Sequence, residues 1–439
     1  MQNPKEADVH LSSAVYTPVR APRGTAISCK GWQQEAVLRM LMNSVDPDVA
    51  EHAETLLASS ELGSVAVDWA AFHAIANSLR GLANDATLLV RQGKMSGITQ
   101  TSKDSPRALV LDSGAAASWT YIGPQCFLPD VFGALAAAKQ QYSWGDMGGK
   151  FVASSSMAGS RVALPLAATM HGAVFLGIDA NSERIKRCVK TGYCDVMVNS
   201  LDEALRILKN AVRKHEAASV GLLGNPADVI PEMASRGVVP DLLSAAENQE
   251  NATPNVLQDG IRALGALGSI LLTSLSSSEA SGSIHCVALS GEPTDIQRID
   301  RLLVELFPGD EQLSRWIRTL QRRLRHQGLP ARAYRLSADQ RVRFGSAVNR
   351  LAANGEVKAP IVIVHHAPTH MERQSELAKA RERDSPSNEK LSALIELSRG
   401  ATWASMDHDE HGNVYVTAQA IAADGSSETN ARIERVLSA

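Results

Sequence analysis

With 439 residues the chain has room for two or three domains and a substantial core. Its 44 Lys and Arg nearly balance 47 Asp and Glu, a formal net charge of −3, which leaves no electrostatic case for a nucleic-acid groove or an anionic membrane surface. No window reaches the roughly 18 uncharged apolar residues of a membrane span, and aromatics make up only 4% of a chain rich in Ala, Leu and Val, which suits helices packed on a sheet.

Residues 1–15 lack the basic start and apolar run of a secretory signal. Ser28 is placed to cap a helix over 31–43, with Trp32, Ala36, Leu38, Leu41 and Met42 as its apolar stripe. A second helix is predicted over 69–82, followed by strands over 87–90 and 108–111. From residue 150 strands and helices alternate regularly. Strands are predicted over 151–153, 173–178, 195–198 and 219–223, with a strand-like 238–243. The helices between them fall at 162–172, 182–191, 201–215 and 227–236. This spacing predicts a parallel, doubly wound sheet, so 150–243 reads as a Rossmann-like domain following a first block over 1–149. Residues 244–283 shift to small and polar types and read as a linker with one short helix. The final block, 284–439, opens with a strand over 285–290. It continues with helices over 295–307 and 311–327, a core strand over 358–364, a charged solvated stretch over 371–390 and a last helix over 429–437. No internal repeat is visible.

Five cysteines (Cys29, Cys126, Cys188, Cys194, Cys286) are scattered with no CxxC pair. Neither a disulfide framework nor a zinc ribbon is expected, and a reducing cytoplasm is the natural compartment. His365, His366 and His370 form one C-terminal cluster, and Asp407, His408, Asp409 and His411 another, both read as loops. Imidazoles and carboxylates ligate divalent metals. Neither spacing matches a standard site, however, and adjacent histidines in a strand face opposite ways. Solvated histidines are the expectation and no metal site is predicted.

Several blocks point to a family. The stretch YTPVRAPRGTAISCKGWQQEAVLRMLMNSVDPDVAE from Tyr16 to Glu51 is the longest. PLAATMHGAV (165–174), TGYCD (191–195), GLLGNPADV (221–229), VALSGEP (287–293), QGLPAR (327–332), APIVI (359–363) and GATW (400–403) follow it. In sequence and in order they resemble urocanase (urocanate hydratase). The resemblance implies an α/β fold: a urocanase-like core domain with an inserted Rossmann-like domain that binds NAD, usually assembled as a homodimer. It also implies the family activity. Oxidised nicotinamide forms an adduct with the imidazole of urocanate, and water adds to give imidazolonepropionate, with a cysteine in the active site.

At the positions where the family does its chemistry the chain often differs. The glycine run before PLAATM is reduced to Met157-Ala158-Gly159-Ser160-Arg161-Val162. Gly159, with the Ser160 hydroxyl and the Arg161 guanidinium, is either a phosphate-binding turn or an ordinary strand–helix turn. Asp179 ends the next strand, where a Rossmann acid receives a ribose, and the arginine at 184 matches the family. Asp179 is equally a helix cap with Arg184 as its ion-pair partner. Asn225 is kept, whereas Pro226 replaces a small residue. Ser59-Ser60-Glu61 stands in place of a tyrosine and two glycines, and its carboxylate would repel a phosphate. Ser113 replaces a glutamine, 246–251 replaces QTSAHDP, and Val364–Thr369 replaces GRDHLD. Ser278 stands at the cysteine position, where a hydroxyl is a poor substitute for a thiol; Cys286 reads as buried filling. These losses predict weakened NAD affinity and weak or absent hydratase activity. Two other readings stay open: an inactive partner of an intact urocanase, or an enzyme with an altered substrate. The expected ligand is urocanate or a related imidazole acid, and the expected assembly is a homodimer or a heterodimer with a urocanase.

Overall fold

A computed structural model describes residues 17–111, 119–245, 255–272, 275, 283–366, 388–408 and 414–438. The first helix, Trp32–Asn43, has Gly31 and not Ser28 at its N-cap. Ser28 donates its N–H and hydroxyl to the Glu35 carboxylate at 2.8 and 3.0 Å, so it ties the incoming loop to the helix without capping it. A ribbon of β1 (Leu57–Ser59) and β2 (Gly63–Ser64) follows, then the helix Trp69–Gly81, capped by Asp68. Next come β3 (Ala86–Arg91), β4 (Lys94–Gln100) and β5 (Ala108–Leu111), and the helix Leu128–Gln141. The sequence reading missed β1, β2, β4 and the helix Leu128–Gln141.

The middle of the chain is the doubly wound unit. Its strands β6 (Phe151–Ser154), β7 (Val174–Asp179), β8 (Val196–Val198), β9 (Ala218–Leu223) and β10 (Leu242–Ser244) are all parallel to their neighbours. The helix expected over 162–172 is a 3₁₀ turn, Gly159–Ala163, continued by Leu164–Met170, with Pro165 tolerated in the first turn, where no N–H is needed. The helices Ser182–Thr191, Leu201–Lys214 and Pro226–Ser235 complete the crossovers. The segment read as a linker adds the helix Asn255–Ala266 and β11 (Ile270–Leu271), which pairs in parallel with β10. The order is β11-β10-β6-β7-β9-β8. From β6 the chain lays β7, β8 and β9 on one side, with β9 inserted between β7 and β8, and then crosses to β10 and β11 on the other, so the crevice between the carboxyl ends of β6 and β10 is the topological switch point.

The last block provides β12 (Ser283–Ala288), β13 (Ala331–Arg335), β14 (Ile361–His366), β15 (Trp403–His408) and β16 (Val414–Ala423). These join β3, β4 and β5 in one eight-stranded sheet, ordered β13-β12-β14-β16-β15-β5-β3-β4. The two ends of the chain therefore build one core domain, and the parallel unit is inserted between them. Period-two alternation sends Val287, Val362 and Val364 toward the helices Trp32–Asn43 and Trp69–Gly81. Ile284, Cys286, Ile361 and Ile363 face the opposite way, onto the helices Pro293–Leu306 and Ala338–Ala353. The helix Glu311–Arg323 ends four residues earlier than expected, and the chain closes on the helix Ser427–Leu437. Among the described residues no helix is long and apolar enough to cross a membrane.

Candidate functional site

The loop after β6, at the switch point, is where a nucleotide would be expected. Its one glycine, Gly159, sits at φ +56°, a left-handed conformation natural to glycine. Ser160 donates both its N–H and its hydroxyl to Glu61 Oε1, at 2.8 Å each. Glu61 comes from the turn between β1 and β2 in the core domain. A Cβ on Gly159 would stand 2.4 Å from the same oxygen, so the space opened by this glycine is filled by the Glu61 carboxylate. Arg161 turns to the Ala245 carbonyl at 2.9 Å.

Asp179 ends β7 and is 4% exposed. Its two oxygens accept the Met157 and Asn181 N–H groups at 2.9 Å each, and Arg184 Nη1 reaches both oxygens at 2.9 Å. The sequence left two readings of this acid open; in this geometry it closes the loop on itself. Asn225 caps the helix Pro226–Ser235 by accepting the Ala227 N–H at 3.0 Å, and Pro226 occupies the first turn. As arranged, these residues do not fit a dinucleotide. The donors facing the crevice are engaged by a carboxylate that would lie against any incoming phosphate, and the ribose acceptor is already saturated.

A second cluster lies at the ends of β12 and β14. The sequence reading placed His365 and His366 in a loop; they are instead the last two residues of β14. His366 Nε2 meets His285 Nδ1 at 3.1 Å, with ring centroids 4.4 Å apart. The backbone of Cys126 and Thr120 also approaches the buried His285 ring. Burial holds His285 far below the ordinary histidine range, helped by the charge of a protonated His366, and burial pulls His366 to about 4. Both rings are therefore neutral at pH 7. Ser113, Ser278, His370, Asp409 and His411 lie outside the described residues, as do the side chains of Asp407 and His408. Among the described residues no three His, Cys, Asp or Glu gather as a metal site.

All five thiols are buried. Burial pushes Cys29 up to about 12 and Cys194 to about 11, and Cys126, Cys188 and Cys286 rise as well. None is a thiolate at neutral pH. Cys286 stands in the middle of β12, fully buried against the helices.

Residues that the sequence reading passed over hold the domains together. Arg187 donates to the Asp48 and Ala50 carbonyls at 2.7 Å each, and Arg323 pairs with Asp195 at 2.6 Å. Arg39, fully buried, pairs with Glu35 at 2.8 Å and donates to the Gly24 and Leu289 carbonyls at 2.9 and 2.6 Å. Asn43 accepts the Leu329 N–H at 2.7 Å. The blocks around 16–51, 287–293 and 327–332 thus meet in one knot. Contacts between segments 250 or more residues apart leave no signal in local spacing. Family models described as the urocanase N-terminal domain, the urocanase Rossmann-like domain and the urocanase C-terminal domain match residues 19–125, 123–251 and 276–439.

Proposed function

The chain belongs to the urocanase family, and from that premise we propose that it is a divergent member with weak or absent urocanate hydration, its Rossmann-like loop carrying no tightly held NAD. One observation supports this above the others: Glu61 engages the Ser160 donors that a pyrophosphate would need. The buried, protonated thiols agree with it, because none is poised to act where the family uses a cysteine. Family membership implies a small-molecule ligand, and urocanate or a related imidazole acid is the proposed one. We further propose a cytoplasmic dimer, formed with itself or with an intact urocanase. A second reading, an enzyme with an altered substrate, is favoured by the neutral His285–His366 pair beside the segment that departs from the family's GRDHLD.

Two measurements test the proposal. Mass spectrometry of the denatured protein should release no stoichiometric NAD. The near-ultraviolet absorbance of urocanate should not decay with purified protein and added NAD. A turnover within tenfold of an ordinary enzyme's, on the order of 1–100 per second, overturns it. Light scattering tests the dimer, and a mass near one chain at micromolar concentration refutes it.

A further inference from the structure

We propose that Glu61 is a built-in substitute for the anion that such a loop would cradle, and that it clasps the inserted domain to the core domain in the absence of a cofactor. The inference rests on the reading that the loop holds no NAD. A phosphate cradle needs a bare backbone N–H, a hydroxyl and a glycine that lets the anion come close. All three are present, and all three are spent on one carboxylate from the other domain. Ser160 supplies the N–H and the hydroxyl, 99 residues away from Glu61 in sequence, each 2.8 Å from the same oxygen. Gly159 supplies the space, since a Cβ there would stand 2.4 Å from that oxygen and 2.9 Å from the carboxylate carbon.

The turn that presents Glu61 is itself held. Its N–H donates to Ser59 Oγ at 3.3 Å, and the Ser60 N–H donates to the Glu51 carboxylate at 2.9 Å. The clasp then adds to two other attachments of the same inserted domain. These are Arg187 on the Asp48 and Ala50 carbonyls, and Arg323 on Asp195. Arg187 reaches out from the helix Ser182–Thr191 itself, and Arg323 meets Asp195 just beyond its end. Glu61 is the attachment made at the loop after β6. Here a side chain bridges the junction, and its negative charge also turns phosphates away.

Hydrogen exchange on the full chain, read on peptides covering 155–163, tests the clasp. In the wild type the Ser160 amide should exchange slowly. Glu61→Ala should speed exchange over 159–161 by at least about tenfold, while the Met157 amide, held by Asp179, keeps its rate. Glu61→Gln should fall between the two, because it retains one acceptor oxygen without the charge. Glu54→Ala removes an exposed carboxylate from the same segment and should change nothing. Equal rates in the wild type and Glu61→Ala overturn the clasp, and so does an equal rise in Glu54→Ala. Glu61 is exposed, so its replacement leaves the core intact. Adding millimolar NAD to the wild type tests the underlying reading by itself. Slower exchange there refutes the cofactor-free loop, whereas the clasp is decided by the Glu61→Ala comparison without NAD.

Discussion

Replacing Asp179 by alanine separates the two roles that an acid at a Rossmann strand end can have. In the present geometry the carboxylate is an internal tie, accepting two backbone N–H groups and the Arg184 guanidinium. Hydrogen bonds to a charged partner contribute about 1.5–3 kcal/mol each, and a buried donor left without a partner costs about 1–3 kcal/mol. The share from Arg184 is discounted, because its side chain is 36% exposed and turns to water once released. The Met157 N–H is buried and has no such recourse. The sum is about 3 kcal/mol, or about 150-fold in the local folding equilibrium. If the unit that melts is of 150–250 residues, that lowers the midpoint by about 6–12 °C. Asp179→Asn, which keeps one acceptor oxygen, should lose about half as much. The assay is a thermal or urea melt alongside an NAD titration. A variant that melts within a degree of the wild type, but loses an NAD affinity the wild type possessed, refutes the reasoning and returns the acid to a ribose-binding role.

Arg39→Ala should cost about 3–5 kcal/mol, because Glu35 stays buried with its ion-pair partner gone and the Gly24 and Leu289 carbonyls lose their donor; a urea midpoint close to the wild type's would count against the knot. Gly192→Ala should destabilise severely, since φ is +91° and a Cβ would stand 1.9 Å from the Arg323 carbonyl oxygen. Soluble protein with an unchanged melt excludes that contact. Acid should weaken the fold below pH 6.5. His366 and His326 are held to about 4, the first by burial and the second by burial and then the Arg332 charge, so in this window the unfolded chain binds protons that the folded chain refuses. Stability therefore falls as pH drops from 6.5 to about 4, by up to about 1.4 kcal/mol per pH unit for each histidine. Urea midpoints at pH 7 and pH 5 measure it, and His326→Gln should flatten the slope; an unaltered slope refutes this.

The parallel unit was legible in the sequence because each of its parts is local. The helix Ser182–Thr191 falls on its expected residues, carrying an Asn181 cap and a Gly192 stop, and β7 and β9 are short, mainly apolar runs in which Asp179 and Ser219 are the polar members. Elements whose apolar pattern is broken by a tertiary partner were not legible. In Ala338–Ala353 the buried Arg341 sits where an apolar residue would mark the stripe, satisfied by the Leu437 carbonyl at 3.0 Å. β4 is largely exposed, and β11 is two residues that become a strand only because β10 offers them an edge. The residue types of the candidate site, Gly159, Ser160, Asp179 and Glu61, could be read along the chain, and so could the conflict between a carboxylate and a phosphate. That Glu61 ends on Ser160 depends on how the β1–β2 turn docks against a loop 99 residues later. That His285 meets His366 depends on the antiparallel register of β12 and β14. Spacing sets which face of an element a side chain takes, whereas the packing of one domain on another sets what that side chain meets.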